Sequence, residues 1–409
     1  MLAESGYSRL EMKGKMMPVT DPKLAGAMGR LGTESAFVVL ARAKQLEAQG
    51  NSIVHLEIGE PDFETPSNIV EAGVKALREG WTHYGPSHGL PEFKEAIADN
   101  VNSWRGTDYL PSEVLVTPGA KPIMFYAIMA LCGPGDEVVY PDPGFPIYRS
   151  MIEYIGATPV PMPLLADNEF RLDVDRFRAD LNDKTRLVIL NSPSNPTGGY
   201  LPKEDIESIA ECVLNTGAMV LTDEVYKEIT YDIDHFSIAS VDGLRERTIL
   251  LDGFSKSYSM TGWRLGYSVG PQWIIDAMAQ LQTNAVSCTA SFVQMAGIEA
   301  LKGPQDQVAT MTDTFRERRD LIVGMLNEIE GVSCLSPQGA FYAFPQLNGF
   351  RQNEEEIADI LLDEGGVATL AGTAFGKFGS GSLRLSFANS TDNLIEAASR
   401  IGQTLDAIR

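Results

Sequence analysis

Short apolar runs alternate along the chain with longer stretches in which apolar residues recur at every third or fourth position. The runs occupy residues 114–117, 137–140, 158–162, 186–190, 218–222, 248–252 and 265–269. Several are apolar at consecutive positions, as strands buried on both faces are. Between them, Ile123, Tyr126, Ala127 and Ala130 fall on one helical face. So do Ile206, Ile209, Ala210 and Val213, and again Ile274, Ala277, Met278 and Leu281. Strand alternating with helix predicts an α/β domain with a mainly parallel central sheet over residues 65–303. After Gly303-Pro304 the pattern changes to a long charged helix over 305–329, strand-like segments at 340–345 and 382–387, and a terminal helix over 391–408. This predicts a smaller α+β domain over 304–409. Residues 21–64 are expected to join it, because their single strand-like run, 53–58, is too little to fold alone. Residues 1–20 read as an N-terminal arm. No repeat of 20–50 residues interrupts this order.

Composition narrows the possibilities. A chain of 409 residues, 44% hydrophobic, has material for two cores, since single cores stop growing at about 250–300 residues. A net charge of −22 makes nucleic acid or an anionic membrane a poor partner. No window reaches the ~18 consecutive apolar residues of a membrane span, and Met1 to Met17 lack the apolar run of a signal peptide. Cys132, Cys212, Cys288 and Cys334 are scattered, which reads as free thiols in a reducing cytoplasm. The four histidines show no metal-binding spacing, so no metal site is expected.

In an open α/β sheet the chemistry belongs at the carboxyl ends of the strands. After 114–117 comes Pro118-Gly119-Ala120-Lys121 opening a helix, where small residues let backbone N–H groups approach an anion. After 137–140, Pro141, Pro143 and Pro146 stiffen a loop carrying Phe145, either a core residue or a face on which a flat ring stacks. After 186–190 comes Asn195 before a proline, a turn residue or a donor to a ring hydroxyl. After 218–221 come Asp223, suited to a pyridinium nitrogen, and Tyr226, suited to a phenolate on the same ring. After 248–251 comes Lys256 among small hydroxyl residues, with Arg264 eight positions on. Taken together these residues supply an aldehyde-capturing lysine, a ring-nitrogen acid, two ring-oxygen donors, a stacking face and a phosphate cup. Pyridoxal 5′-phosphate needs this set.

The chain resembles the class I/II aminotransferases, fold-type-I pyridoxal-phosphate enzymes, and looks closest to their bacterial aspartate-aminotransferase-like members. The resemblance runs from about Gly32 to the C-terminus. It is carried by Ile58-Gly59-Glu60-Pro61-Asp62-Phe63, Tyr84-Gly85-Pro86, Asn195-Pro196-Thr197-Gly198, Thr222-Asp223-Glu224-Val225-Tyr226, Phe254-Ser255-Lys256 through Thr261-Gly262-Trp263-Arg264, and Leu383-Arg384-Leu385-Ser386. It implies that Lys256 is the Schiff-base lysine and proton shuttle, with Asp223 and Tyr226 acting beside it. It implies a phosphate site at Gly119, Ala120, Lys121, Ser255 and Arg264. Arg384 is implied to grip the substrate α-carboxylate, with Gly59 and Asn195 lining that site. Tyr84 is implied to reach the cofactor phosphate of a neighbouring subunit, hence a homodimer with shared active sites.

Three positions depart from the family pattern. Gly253 stands where a phosphate-binding serine is frequent, and Phe145 where many aspartate aminotransferases carry tryptophan. No arginine lies between Arg264 and Arg316, the region from which a partner subunit reads a second carboxylate in some aspartate enzymes. The resemblance to the bacterial members implies that a lysine at the place of Lys121 can serve instead, and a phosphate or surface contact is its other reading. The expected activity is ping-pong transfer of an amino group from an acidic L-amino acid to a 2-oxo acid such as 2-oxoglutarate. An aromatic or neutral amino acid donor, a C–S lyase on the same site, and a catalytically silent binding protein are the alternatives.

Overall fold

The computed structural model describes residues 24–409, so the arm expected at 1–20 lies outside them. Seven strands form one sheet in the order Val114–Thr117, Gly266–Val269, Thr248–Gly253, Met219–Asp223, Thr185–Asn191, Glu137–Asp142, Thr158–Pro163. Six of them run in a common direction, and Gly266–Val269 alone is antiparallel to both its neighbours. Each expected run is therefore a strand, with ends shifted by a residue or two.

Side chains alternate across the sheet as strand geometry demands. Leu187, Ile189 and Leu221 enter one core with Ile123, Ala127 and Met278. Val188, Leu190 and Val220 enter another with Ile206, Ile209 and Val213. Those partners come from the helices Lys121–Leu131, Gln272–Ala285 and Lys203–Leu214, the elements whose helical periodicity the sequence displays. Both faces are thus covered, which explains why the strands carry near-continuous apolar runs.

A third core collects Phe315, Ile322 and Leu326 from the helix Asp306–Asn327 with Leu394, Ala397 and Ile401 from Thr391–Ile408. Val54 and Leu56 join this core, and Val54–His55 pairs in parallel with Val367–Ala368. The expected strand at 53–58 is reduced to two residues, because the chain then turns to line the cavity described below. Leu383–Ser386 is the middle strand of a three-stranded sheet between Tyr342–Ala343 and Leu370–Ala371. Val225, Tyr226, Ile229 and Tyr231, which follow Asp223, insert into the same third core. The loop after Met219–Asp223 is thereby held between the central sheet and the elements of the C-terminal region.

Candidate active site

The carboxyl ends of the parallel strands open into a cavity of ≈ 360 Å³. It is lined by Gly59, Ala120, Lys121, Phe145, Asn195, Asp223, Tyr226, Ser255, Lys256, Arg264 and Arg384, so eleven expected residues meet there from seven separate segments. The topology explains the meeting. Thr117, Asp142, Asn191, Asp223 and Gly253 all end strands at one edge of the sheet. The antiparallel strand Gly266–Val269 starts at that same edge, with Gly266 opposite both Thr117 and Gly253. Arg264 is therefore delivered beside Gly119 and Ala120 although it precedes its strand rather than following it.

The contacts there are close. Gly119 has φ +92°, and a Cβ on it would overlap the Arg264 guanidinium. A Cβ on Gly266 would lie 2.6 Å from the Gly119 carbonyl carbon. Arg264 adopts φ +56°, a left-handed conformation that costs a non-glycine residue about 1–2 kcal/mol. Its Nη1 donates to the Thr261 carbonyl at 2.8 Å. Gly253 has little room for the frequent serine, since an added Cβ would sit 3.3 Å from the Leu265 carbonyl oxygen.

Burial displaces ionisable groups of the cavity from their ordinary behaviour, Lys256 and Asp223 among them. Burial brings the Lys256 amine down to about 8; Glu60 opposes this, and Arg384, Lys121 and Arg264 reinforce it. Its Nζ donates to the Gly59 carbonyl at 2.5 Å. Burial lifts the Asp223 carboxyl to about 6, against a hydrogen bond from the Tyr148 hydroxyl at 2.6 Å. The adjacent Glu224 turns away into a buried cluster. Burial pushes it up, but Arg105 and His235 outweigh this and hold it well below the carboxylate range.

Arg384 is 4% exposed, and burial lowers its pKa. Its Nη1 donates to Asn195 Oδ1 at 3.2 Å and its Nη2 to the Glu57 carbonyl, while Nε is buried without a partner. Among the described residues no acidic side chain pairs with it. A buried cation without an anion is costly, and an incoming carboxylate removes that cost.

Residues 51–401 match the family described as Aminotransferase class I and II. The chain belongs to this family. It is 40% identical over 357 residues to the aspartate aminotransferase of Pyrococcus abyssi, covering 86% of this chain and 92% of that protein. Among solved structures it is similar to the aspartate aminotransferase from Thermus thermophilus with maleate, at 34% identity and TM-score 0.90 over 93% and 99% of the two chains. It is also similar to the aromatic aminotransferase from Pyrococcus horikoshii OT3, at 40% identity and TM-score 0.84 over 90% and 99%.

Class I/II aminotransferases use pyridoxal 5′-phosphate. The residues of this aminotransferase fit that cofactor: a glycine-shaped cradle faces Arg264 at a helix start, the buried Asp223 carboxylate has no cation on it among the described residues, and the nearby amine is lowered towards neutrality. Two expected residues stand apart from the cavity lining. Gly119 has no side chain, and this leaves room for the Arg264 guanidinium. Tyr84 is 91% exposed in the single chain.

The aminotransferase also places residues there that sequence reasoning missed. Tyr148 bonds Asp223, and the Tyr342 hydroxyl lies 2.7 Å from the Tyr226 hydroxyl. A Cβ on Gly59 would overlap that same Tyr342 hydroxyl, which accounts for the glycine. Asn191 fixes the Asn195 loop, accepting from the Asn195 backbone N–H at 2.9 Å and donating to the Asp223 carbonyl at 3.1 Å. Glu34 and Phe37, at the start of the helix Ser35–Ala48, close one side of the cavity. Tyr148, on the first turn of the helix Ile147–Ile155, and Tyr342, Glu34 and Phe37 carried no motif that would have singled them out. Among the described residues there is no cluster that would hold a metal ion, and no helix is long and apolar enough to cross a membrane.

Proposed function

We propose that this aminotransferase moves the amino group of an acidic, aspartate-like L-amino acid to a 2-oxo acid such as 2-oxoglutarate, by a ping-pong mechanism. The observation that carries this reading is the pairing, within one cavity, of Arg384 without an acidic partner and Lys256 with a lowered pKa. Bound pyridoxal 5′-phosphate supplies an aldehyde for the substrate amine and a protonated ring that accepts the electron pair released at Cα. Lys256 would hold the cofactor covalently, with Asp223 on the ring nitrogen, Tyr226 and Asn195 at the ring oxygen, and Phe145 against the ring. Gly119, Ala120, Ser255 and Arg264 would take the phosphate, with Tyr84 reaching it from a partner subunit. The guanidinium of Arg384 orients the substrate through its α-carboxylate, as a planar fork does bidentately. Lys256, once released, lies ready to take the Cα proton as a general base, and its lowered pKa suits it to that work near neutral pH.

The acidic preference draws support from Lys121 in the cavity and from the relatives named aspartate aminotransferase, one of them solved with the dicarboxylate maleate. An aromatic or neutral donor is the second reading, favoured by Phe37 and Phe145 beside Lys121 and by the neighbour named an aromatic aminotransferase. The test is the first half-reaction. Cofactor-loaded protein mixed with one amino acid at a time, without acceptor, should release one equivalent of 2-oxo acid per site from aspartate or glutamate. Release from phenylalanine but from neither acidic amino acid sinks the acidic reading. Lys256→Ala should lower turnover by about 10³-fold or more, with loss of the cofactor's visible absorption band. Retained turnover in that variant removes Lys256 from its role.

A further inference from the structure

The distal end of the cavity carries its own countercharge. Lys121 Nζ forms an ion pair with Glu34 Oε1, and the same amine lies 5.8 Å from the Phe37 ring centroid and 5.5 Å from that of Phe145. The Glu34 side chain is 17% exposed and that of Lys121 41%, so the pair is only partly shielded from solvent. The charges facing this space are Lys121, Lys256, Arg264 and Arg384 against Glu34, Glu60 and Asp223. The cofactor would engage Lys256, Arg264 and Asp223, and a substrate α-carboxylate would engage Arg384. Glu60 accepts from the Thr261 hydroxyl. Among the described residues Lys121 is then the one lining cation left for a second carboxylate, and Glu34 already holds it.

We propose that Glu34 is a specificity-determining residue: its carboxylate stands in for a substrate's second carboxylate on Lys121 and must yield when a dicarboxylate binds. This rests on the aminotransferase reading of the site and deepens it. With a neutral or aromatic substrate the Glu34–Lys121 pair stays closed, and the side chain meets Phe37, Phe145 and a locally neutral wall. With an acidic substrate the distal carboxylate takes Lys121. Glu34 swings out, and it stays tolerable because it sits at the N-terminus of the helix Ser35–Ala48, where negative charge is favoured. One cavity then accepts both substrate classes, with the acidic class bearing the cost of displacing an internal anion.

The experiment uses the cofactor-loaded protein and two unreactive ligands, succinate and 3-phenylpropanoate, with binding followed by calorimetry. Glu34→Gln should tighten succinate binding about fivefold relative to 3-phenylpropanoate. In turnover, the ratio of kcat/KM for aspartate over phenylalanine should rise by a similar factor. Adding Lys121→Met to Glu34→Gln should abolish the gain. Should Glu34→Gln fold poorly, Glu34→Asp, which withdraws the carboxylate by one methylene, should shift both ratios in the same direction. Unchanged or reversed ratios in both variants overturn the proposal. Tighter succinate binding without turnover of any amino acid would support the role of Glu34 and defeat the transamination reading, so the two failures are separable.

Discussion

Asp223 and Glu224 are neighbours in the chain, both fully enclosed, and the fold gives them opposite characters. Glu224 meets Arg105 and His235, while the Asp223 side chain faces the cavity with, among the described residues, only the Tyr148 hydroxyl and the Val225 N–H as partners. The consequence for stability is testable in the cofactor-free protein. Because the folded pKa of Asp223 is raised from 3.8 to about 6, the folded state binds the proton more tightly than the unfolded chain. Stability contributed by this group is therefore present below 3.8 and lost as pH rises to about 6. Asp223→Asn should remove that loss, raising cofactor-free stability at pH 8 by up to about 3 kcal/mol while crippling turnover. Denaturant melts of both proteins at pH 4 and pH 8 check it: an equal difference at the two pH values refutes the linkage.

At the scale of elements, the antiparallel strand Gly266–Val269 has the largest consequence. A parallel strand in its place would start at the far edge of the sheet and carry Arg264 away from the cavity. Its direction was not readable from its composition, since an apolar run of four or five residues looks the same either way. The positions of the strands and of their terminal loops were readable, because burial on both faces forces continuous apolar runs and the loops break them with Pro, Gly and Asn. Gly119 and Gly266 show what the close approach requires. Gly119→Ala should place its methyl against the Arg264 guanidinium and force a side chain into φ +92°. It should cost about 1–2 kcal/mol of stability and weaken cofactor affinity at least tenfold. A fluorescence titration with pyridoxal 5′-phosphate decides, and unchanged affinity would show that the cradle does not hold the phosphate.

At the scale of the whole molecule, the exposed positions become informative. Tyr84 is almost entirely open in the single chain, and Phe37, Val38, Trp273 and Val286 are also exposed. An aromatic side chain as open as Tyr84 is available to a second copy, the partner that the resemblance to the family implies. We propose a homodimer in which Tyr84 completes the partner's site. Lys256→Ala and Tyr84→Ala proteins, each of low activity, should complement when unfolded together and refolded in equal amounts. Half of the dimers are then mixed and each mixed dimer has one intact site, giving about one quarter of wild-type activity. No recovery would place Tyr84 outside a shared site. We also propose that residues 65–303 and residues 21–64 with 304–409 form two domains, supported by the core that collects Val54 and Leu56 with the C-terminal helices and that takes in only the segment Val225–Tyr231 from the first.

The sequence by itself determined the order of strands and helices, the residues at the strand ends, and through them the cofactor class, because each depends on local periodicity or on short motifs. Lys256, Asp223, Asn195, Tyr226 and Arg264 could be singled out in that way and Arg384 by the family resemblance, and the fold brings all six to one cavity. Only the tertiary structure decided which side chains face one another across that site: Tyr148 on Asp223, Tyr342 on Tyr226 and Gly59, and Glu34 on Lys121. These pairs join segments as far as 283 positions apart, as Gly59 and Tyr342 are. Nothing in the spacing along the chain encodes such contacts, because they arise from the packing of whole elements, and on one of them the choice of substrate is proposed to turn.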